Sequence, residues 1–153
     1  QNIDSLHQKA GSSPELILKL HGNMQRLVCL NCGERYPIAL VKERYADSED
    51  VPTCDYCMGI LKPDVVFFGE ALPQRTLAQA MQEAEDCDVM MVIGSSLVVY
   101  PAAYVPIQAQ RAGARLVIIN KGSTEQDYLA DVRIDASAGE TMTKIINRIK
   151  DKG

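Results

Sequence analysis

The feature that most constrains this chain is a set of four cysteines in two Cys-x-x-Cys pairs, Cys29 with Cys32 and Cys54 with Cys57. Two such pairs supply the four thiolates of a tetrahedral zinc site. Two disulfides or a redox dithiol are the alternatives, but disulfides are rare in the reducing interior of a cell, and a redox motif does not need a second copy. The spacing therefore predicts one structural zinc ion with no open coordination position.

Composition and charge exclude several classes of function. The chain has 153 residues, of which 46% are hydrophobic, enough for one domain with at most a small inserted module. Its longest apolar runs have the length of a strand, far short of the ~20 residues of a membrane helix. No secretion leader opens the chain, so we expect a cytoplasmic protein. A net charge of -4 argues against nucleic acid as a partner.

Beyond residue 64 the sequence alternates between helical and strand patterns. Apolar residues on one helical face predict a helix around 77–84, and continuous apolar runs at 88–93 and 115–119 are typical of buried strands in a parallel sheet. The other expected elements are a helix at about 101–111, a short strand at 132–135 and a closing helix around 142–149. This order predicts an α/β fold with right-handed crossovers.

The first 64 residues carry weaker patterns. The apolar run Leu16–Leu20 is expected to be a strand that ends at His21. The stretch 41–50, between the cysteine pairs, is mostly polar and is expected to be a solvated loop that depends on the metal for its place in the fold.

Polar residues follow the expected strands of the parallel sheet, with Ser95 and Ser96 after the first, Asn120 after the second and Ser137 after the third. Ligands of α/β sheets gather at the carboxyl ends of neighbouring strands. The chain has no Gly-x-Gly-x-x-Gly motif, so this pattern alone is weak evidence for a nucleotide site. Serines at such turns also serve simply as helix caps.

Several short motifs occur in order along the chain. They are Gln1–Asp4, Leu6–His7, Ala10–Gly11, Leu20–Asn23, the four cysteines, Leu61–Glu70, Gly94–Leu97 and Ile119–Asn120. Together they resemble the sirtuin family of NAD-dependent protein lysine deacylases. Ser5 departs from the family pattern, which usually has a glycine at that position.

The resemblance implies a partial Rossmann-like NAD-binding domain, formed by residues 1–21 and 65–153, with helices on both faces of its parallel sheet. A small zinc-binding module with four cysteine ligands, residues 22–64, would be inserted into it. The glycine-rich phosphate loop of the family would lie before Gln1. We therefore expect the chain to be the C-terminal portion of an enzyme and to bind NAD poorly on its own.

The resemblance also implies an activity and its partners. The activity is NAD-dependent deacetylation or deacylation of lysine in a protein or peptide, with NAD as co-substrate, zinc as a structural ion, and nicotinamide and 2′-O-acyl-ADP-ribose as products. Because the acyl group moves to ADP-ribose, the enzyme would be a transferase as well as a deacetylase. Neither a membrane nor nucleic acid is an expected partner. Two alternatives stay open: ADP-ribosyl transfer to protein at the same site, and a non-catalytic zinc-ribbon interaction module.

The resemblance assigns roles to individual residues. His21, Asn2 and Asp4 would be catalytic, with His21 as general base toward a ribose hydroxyl and the other two in the nicotinamide pocket. On pattern alone, a lone histidine is more often structural, Asn and Asp more often cap helices, and segment 65–69 would be a core strand. The expected cofactor-binding residues are Gln1, Asn2, Ile3, Asp4, Gly94, Ser95, Ser96, Asn120, Lys121, Ser137 and Ala138. The expected substrate-binding residues are Val66, Phe67, Phe68, Gly69 and Val99.

Overall fold

The structure, a computed structural model, describes residues 1–151. The chain divides into two compact units, Gln1–Thr76 and Leu77–Gly153. The domain boundaries expected from the sequence stay a prediction, and their last two residues, Lys152 and Gly153, lie outside the described residues. In the described part of the chain, no helix combines the length and the apolar character that crossing a membrane requires.

The first unit is built on a three-stranded antiparallel sheet. Its strands are β1 (Gly22–Cys29), β2 (Arg35–Pro37) and β3 (Leu61–Val65), with β1 in the centre. The β1–β3 pairing runs from Gly22 opposite Val65 to Cys29 opposite Leu61, and its register shifts between Gly22 and Leu27. Such irregularities are frequent next to functional sites, because they redirect the backbone locally.

The prediction of a strand at Leu16–Leu20 is wrong. Pro14–Leu16 forms a 3-10 turn, and residues 17–19 pair with no strand in the part of the chain that the structure describes. Proline fixes φ and lacks an N–H, so Pro14 starts a turn more readily than it leads into a strand. His21 therefore lies in the turn that precedes β1. A short helix, α1 (Leu6–Lys9), comes before these turns.

The prediction of a loop at 41–50 is wrong for its first residues, because residues 41–44 belong to a helix, α2 (Ile38–Arg44). Ile38, Val41 and Tyr45 follow one another at helical spacing and pack in or against the core, with Val41 buried. This spacing is visible in the sequence but crosses the boundary of the predicted loop. Residues 46–50 are exposed, as the prediction expected.

The core of the first unit is shared between aliphatic side chains and cysteines. Its buried residues are Leu27, Cys29, Val41, Cys54 and Leu61. Tyr36, Ile38, Tyr45 and Cys57 pack against them. The predicted metal cluster thus borders the hydrophobic core, with Cys29 and Cys54 buried in it and Cys32 exposed at the surface.

The second unit contains the predicted parallel sheet, and the α/β fold class is confirmed. Its strand order is β4 (Val89–Ile93), β5 (Arg115–Ile119) and β6 (Val132–Ile134). Together with α3 (Gln74–Asp86), the helices α4 (Tyr104–Ala112) and α5 (Ala138–Lys150) complete the alternation. The α4 helix begins late enough that Pro106 falls in its first turn, where no N–H donor is needed. Gly113 ends it with φ 103°.

β4 is less buried than its apolar run predicts. Side chains alternate between the two faces of a strand, and the face of β4 that carries Val92 packs on Leu116 and Ile118 of β5 and on the loop that follows β4. On the other face, Val89, Met91 and Ile93 are 54%, 40% and 43% exposed. Burial of the face that carries Val92 is therefore confirmed among the described residues, and burial of the other face stays a prediction.

Candidate functional site

The four cysteines of the two pairs come together in the first unit. Their Sγ atoms all lie within 4.8 Å of one another, with Cys29 3.5 Å from Cys57 and Cys32 3.5 Å from Cys54. Zn–S bonds of about 2.3 Å place the sulfurs of a tetrahedral site about 3.8 Å apart. The cluster therefore fits one zinc ion held by four thiolates.

The two cysteine pairs form the same backbone turn. In each pair the N–H of the first cysteine, Cys29 or Cys54, donates at 2.8 Å to the carbonyl five residues later. The carbonyl of the same cysteine accepts at 3.0 Å from the N–H four residues later. This repeated turn directs two sulfurs of each pair toward one point, which favours a shared metal over two separate dithiols.

Groups around the cluster are arranged to support thiolates. The Asn31 N–H donates to Cys29 Sγ at 3.4 Å, and the Tyr36 hydroxyl lies 3.2 Å from Cys54 Sγ. The Tyr36 contact is the largest cause that lowers the pKa of Cys54 to about 6. A Cβ atom at Gly59 would lie 2.9 Å from Cys29 Sγ, so the turn needs a glycine there.

His21 is partly buried in the turn before β1. Its Nδ1 is buried and has no hydrogen-bond partner within residues 1–151. Burial lowers the pKa of His21, and a hydrogen bond with the Gln1 backbone opposes this effect. Burial thus favours the neutral imidazole, the state that a general base requires.

The backbone of His21 is joined to the expected substrate-binding segment. The Val66 N–H donates to the His21 carbonyl at 3.1 Å, next to the Gly22–Val65 pair of the sheet. Gly22 makes this approach possible, since its φ is 77° and a Cβ there would lie 2.0 Å from the Asp64 carbonyl oxygen. The first unit thus places His21 and Val66 next to each other.

The conformation of the segment 66–69 depends on Lys62 and Glu70. Lys62 Nζ donates to the Val65 carbonyl at 2.8 Å and to Glu70 Oε2 at 2.7 Å, and lies 4.5 Å from the centre of the Phe67 ring. Glu70 Oε2 also accepts from the Phe67 N–H at 2.9 Å. The hydrogen bonds from Lys62 and from the Phe67 N–H lower the pKa of Glu70, so its carboxylate stays ionised at neutral pH.

Phe68 is fully exposed in this segment, and Phe67 is half exposed. β3 ends at Val65, so residues 66–69 do not form the core strand that the apolar pattern alone suggests. The two adjacent exposed rings form a small apolar patch, which makes this segment a candidate binding surface.

The amino-terminal segment is attached to β1 by a hydrogen bond from the Met24 N–H to the Ile3 carbonyl at 3.2 Å. Asp4 Oδ1 accepts from the Leu6 N–H at 2.9 Å, but the N-cap position of α1 is held by Ser5 and has no side-chain capping bond among the described residues. Asp4 Oδ2 accepts from the Asn2 amide at 3.3 Å. Asn2 and Asp4 are both exposed, so polar atoms of the pair remain accessible to a ligand.

In the second unit, the predicted loops meet at one edge of the parallel sheet. The carboxyl ends of β4, β5 and β6 lie side by side. The Gly94 N–H donates to the Ile119 carbonyl at 2.9 Å, and the Asn120 N–H donates to the Ile134 carbonyl at 3.1 Å. The predicted residues that follow these strand ends are Gly94, Ser95, Ser96, Asn120, Lys121, Ser137 and Ala138.

The serines after β4 are not helix caps. Ser95 Oγ accepts from the Leu97 N–H at 3.3 Å, but the helix that follows, α4, begins only at Tyr104. Val99 lies in the connecting loop and is exposed. Ser137 directly precedes α5, and its carbonyl accepts from the Thr141 N–H at 3.0 Å.

Sequence reasoning missed an arginine that holds the loop after β5. Arg133 of β6 donates from Nη1 to the Asn120 carbonyl at 3.0 Å and from Nη2 to the Gly122 carbonyl, while its Nε donates to Asp127 Oδ1 at 2.8 Å. The Asn120 amide donates to the Gly122 carbonyl at 3.1 Å. A single arginine in a three-residue strand forms no motif, so no sequence signal marks it.

Comparison with known proteins identifies the family. A sequence model described as "Sir2 family" matches residues 1–101. The NAD-dependent protein deacylase 2 of Archaeoglobus fulgidus is 49% identical over 151 residues, which cover 98% of this chain and 58% of that protein. The NAD-dependent protein deacetylase of Caldivirga maquilingensis is 45% identical over 150 residues, which cover 98% of this chain and 57% of that protein. The chain therefore belongs to the Sir2 family, the sirtuins.

A solved structure of Sir2 with a p53 peptide and NAD+ is similar to this one, with a TM-score of 0.89 at 40% identity. The match covers 97% of this chain and 60% of that one. The chain spans 57–58% of the length of the two curated relatives named above. The resemblance stated from the sequence motifs is thus confirmed, for a chain that corresponds to part of those proteins.

Proposed function

We propose that the full protein containing this chain is an NAD-dependent protein-lysine deacylase. The observation that carries the proposal is His21, a partly buried imidazole whose neutral form is favoured by burial and whose backbone is hydrogen-bonded to Val66 of an exposed segment. The names of the two curated relatives, a deacylase and a deacetylase, support the same activity. The substrate class would be acylated lysine in a protein or peptide, and the acyl transfer to ADP-ribose would make the enzyme a transferase.

His21 is proposed as the general base. NAD, when bound, would supply the ribose that receives the acyl group and the nicotinamide that leaves. A ring nitrogen of His21 would accept the proton of a ribose hydroxyl, a task that the lowered pKa of His21 permits because the ring is not already protonated. Asn2 and Asp4, with Gln1 and Ile3 beside them, would hold the nicotinamide amide through the polar atoms of the exposed Asn–Asp pair.

The segment 66–69 is proposed to bind the acylated peptide. An extended peptide would add to the backbone of Val66 and Gly69 as a strand, a mode that relies on main-chain hydrogen bonds and tolerates varied sequences. Phe67 and Phe68 would cover the aliphatic part of the acyl-lysine, since both rings are exposed. In the second unit, Val99 is proposed as a further peptide contact.

The sheet edge of the second unit is proposed to bind the rest of the cofactor. Gly94, Ser95 and Ser96 offer backbone N–H groups and hydroxyls suited to phosphate or ribose. Asn120, Lys121, Ser137 and Ala138 would contact the adenosine, and the Asn120 loop is held by Arg133. The domain boundaries expected from the sequence, 1–21 with 65–153 and 22–64, are part of this proposal. We also propose a cytoplasmic location, since zinc-binding thiolates persist in a reducing compartment.

The test uses the full-length protein with an acetyl-lysine peptide and NAD, followed by mass spectrometry. We expect loss of the acetyl group from the peptide, release of nicotinamide and formation of an acyl-ADP-ribose. His21→Ala is expected to lower turnover by about 10²–10⁴-fold, the usual contribution of a general base. His7→Ala is the matched control, because His7 is the chain's other histidine and is exposed on α1.

Three outcomes would contradict the proposal. ADP-ribose attached to protein would indicate a transferase acting at the same site. Unchanged peptide and NAD would indicate a non-catalytic zinc module. Turnover of His21→Ala equal to that of His7→Ala, with both variants folded by circular dichroism, would remove His21 from the mechanism.

A further inference from the structure

Two tyrosines pack against the core of the first unit and hold the residues on either side of Cys54. Tyr36 OH accepts from the Asp55 N–H at 3.0 Å, and Tyr45 OH accepts from the Thr53 N–H at 3.2 Å. Both rings are partly buried against the same cluster. The two hydroxyls therefore make equivalent bonds to the backbone, one on each side of a predicted zinc ligand.

The second contact of each hydroxyl differs. Tyr36 OH lies 3.2 Å from Cys54 Sγ, whereas Tyr45 OH lies 3.4 Å from Thr53 Oγ1. Because the oxygen of Tyr36 already accepts the Asp55 N–H, its own proton remains for a second partner. A metal-bound thiolate has no proton to give, so the hydrogen bond in the zinc-loaded protein must run from Tyr36 OH to Cys54 Sγ.

We infer that Tyr36 is a positioning residue of the zinc site, whose hydroxyl orients the Cys54 thiolate and slows loss of the metal. A zinc ion bound by four thiolates carries a net negative charge, and a donor to one sulfur offsets part of it. Hydrogen-bonded groups behind metal ligands typically change metal affinity by about 10–100-fold when they are removed. This inference concerns the structural metal and does not rest on the proposed deacylase activity.

The experiment compares Tyr36→Phe with Tyr45→Phe in the full-length, zinc-loaded protein. Each variant loses one hydroxyl and one acceptor for a backbone N–H, but only Tyr36→Phe loses a donor to sulfur. Zinc release to a chromogenic chelator is followed at neutral pH. We expect Tyr36→Phe to release zinc about 10–100-fold faster than the wild type and Tyr45→Phe to release it at nearly the wild-type rate.

A spectroscopic measurement separates the hydrogen bond from packing. In the cobalt-substituted protein, loss of a donor to a thiolate is expected to move the sulfur-to-cobalt charge-transfer band to longer wavelength. The shift should occur in Tyr36→Phe and not in Tyr45→Phe. Equal zinc-release rates in the two variants, or a charge-transfer band in Tyr36→Phe that coincides with the wild type, would overturn the inference.

A second variant keeps the test decisive if Tyr36→Phe fails to fold. Replacement of Tyr36 by 3-fluorotyrosine retains nearly the same shape and makes the hydroxyl a stronger donor. Zinc release slower than in the wild type would support the role of the hydrogen bond. An unchanged or faster release would contradict it.

Discussion

Replacing Ser5 by glycine is expected to stabilise the protein. Ser5 precedes α1 with φ 59° and ψ 26°, in the left-handed region. An L-residue in this conformation costs roughly 1–2 kcal/mol, a cost that glycine avoids. Ser5 Oγ is also buried with no hydrogen-bond partner among residues 1–151, which adds about 1 kcal/mol of lost hydration.

The net gain is smaller than the sum of these two contributions. Glycine makes the unfolded chain more flexible, which offsets about 0.5–1 kcal/mol. The free energy of unfolding should therefore rise by about 1–2 kcal/mol, equivalent to about 2–8 °C in Tm for a chain of this length. The family's usual glycine at this position has the same physical explanation.

The assay is urea unfolding of the zinc-loaded protein, with Ser13→Gly as the matched control. Ser13 is exposed, has an ordinary φ of -56° and makes no side-chain capping bond within the described residues. Its replacement should lower the free energy of unfolding by about 0.5–1 kcal/mol. A loss of stability in Ser5→Gly as large as that in Ser13→Gly would refute the assignment of strain to Ser5.

Three further substitutions test the groups that hold the candidate site. Lys62→Met removes the ammonium that joins Val65, Glu70 and Phe67. In steady-state assays we expect the KM for the acyl peptide to rise about tenfold, a loss of ~1.4 kcal/mol in binding. The KM for NAD should stay unchanged. In Arg133→Lys the shorter lysine cannot bond to two carbonyls and a carboxylate at once, so the KM for NAD should rise about tenfold. The control is Arg115→Lys, because the partner of Arg115 is Asp131, and this variant should leave the KM for NAD unchanged. Gly59→Ala places a methyl group 2.9 Å from Cys29 Sγ and should release zinc during dialysis against a chelator, as measured by metal analysis.

Each of these expectations has a result that contradicts it. An unchanged peptide KM in Lys62→Met would mean that the exposed segment keeps its conformation without the lysine. Equal effects of Arg133→Lys and Arg115→Lys would mean that Arg133 acts only through general stability. Full zinc retention in Gly59→Ala would mean that the turn has room for a side chain.

The strands of the parallel sheet could be predicted closely from their continuous apolar runs. β5 coincides with the predicted run at 115–119, and β4 begins one residue later than predicted. Each run has the length of a strand and is too short for a helix of ordinary length. The cysteine cluster was predictable for a related reason, since the spacing within each pair is set by a local turn and a metal requires four ligands.

Contacts between residues distant in sequence could not be predicted. The bond from Val66 to His21 depends on the close approach of two strands at Gly22, and a single glycine carries no information about its partner. Arg133 holds a loop through backbone carbonyls, which have no sequence signature.

The antiparallel pairing of β1 with β3 connects the metal cluster to the candidate catalytic residue. At one end, Cys29 lies opposite Leu61; at the other, Gly22 lies opposite Val65, directly beside His21 and Val66. Only a few aliphatic side chains are buried in the core cluster around the first end, so the metal bonds are expected to hold it together. Loss of zinc would therefore loosen the strands that keep His21 and Val66 adjacent. A metal whose coordination is filled by sulfur can in this way be required for activity without contacting any reacting group.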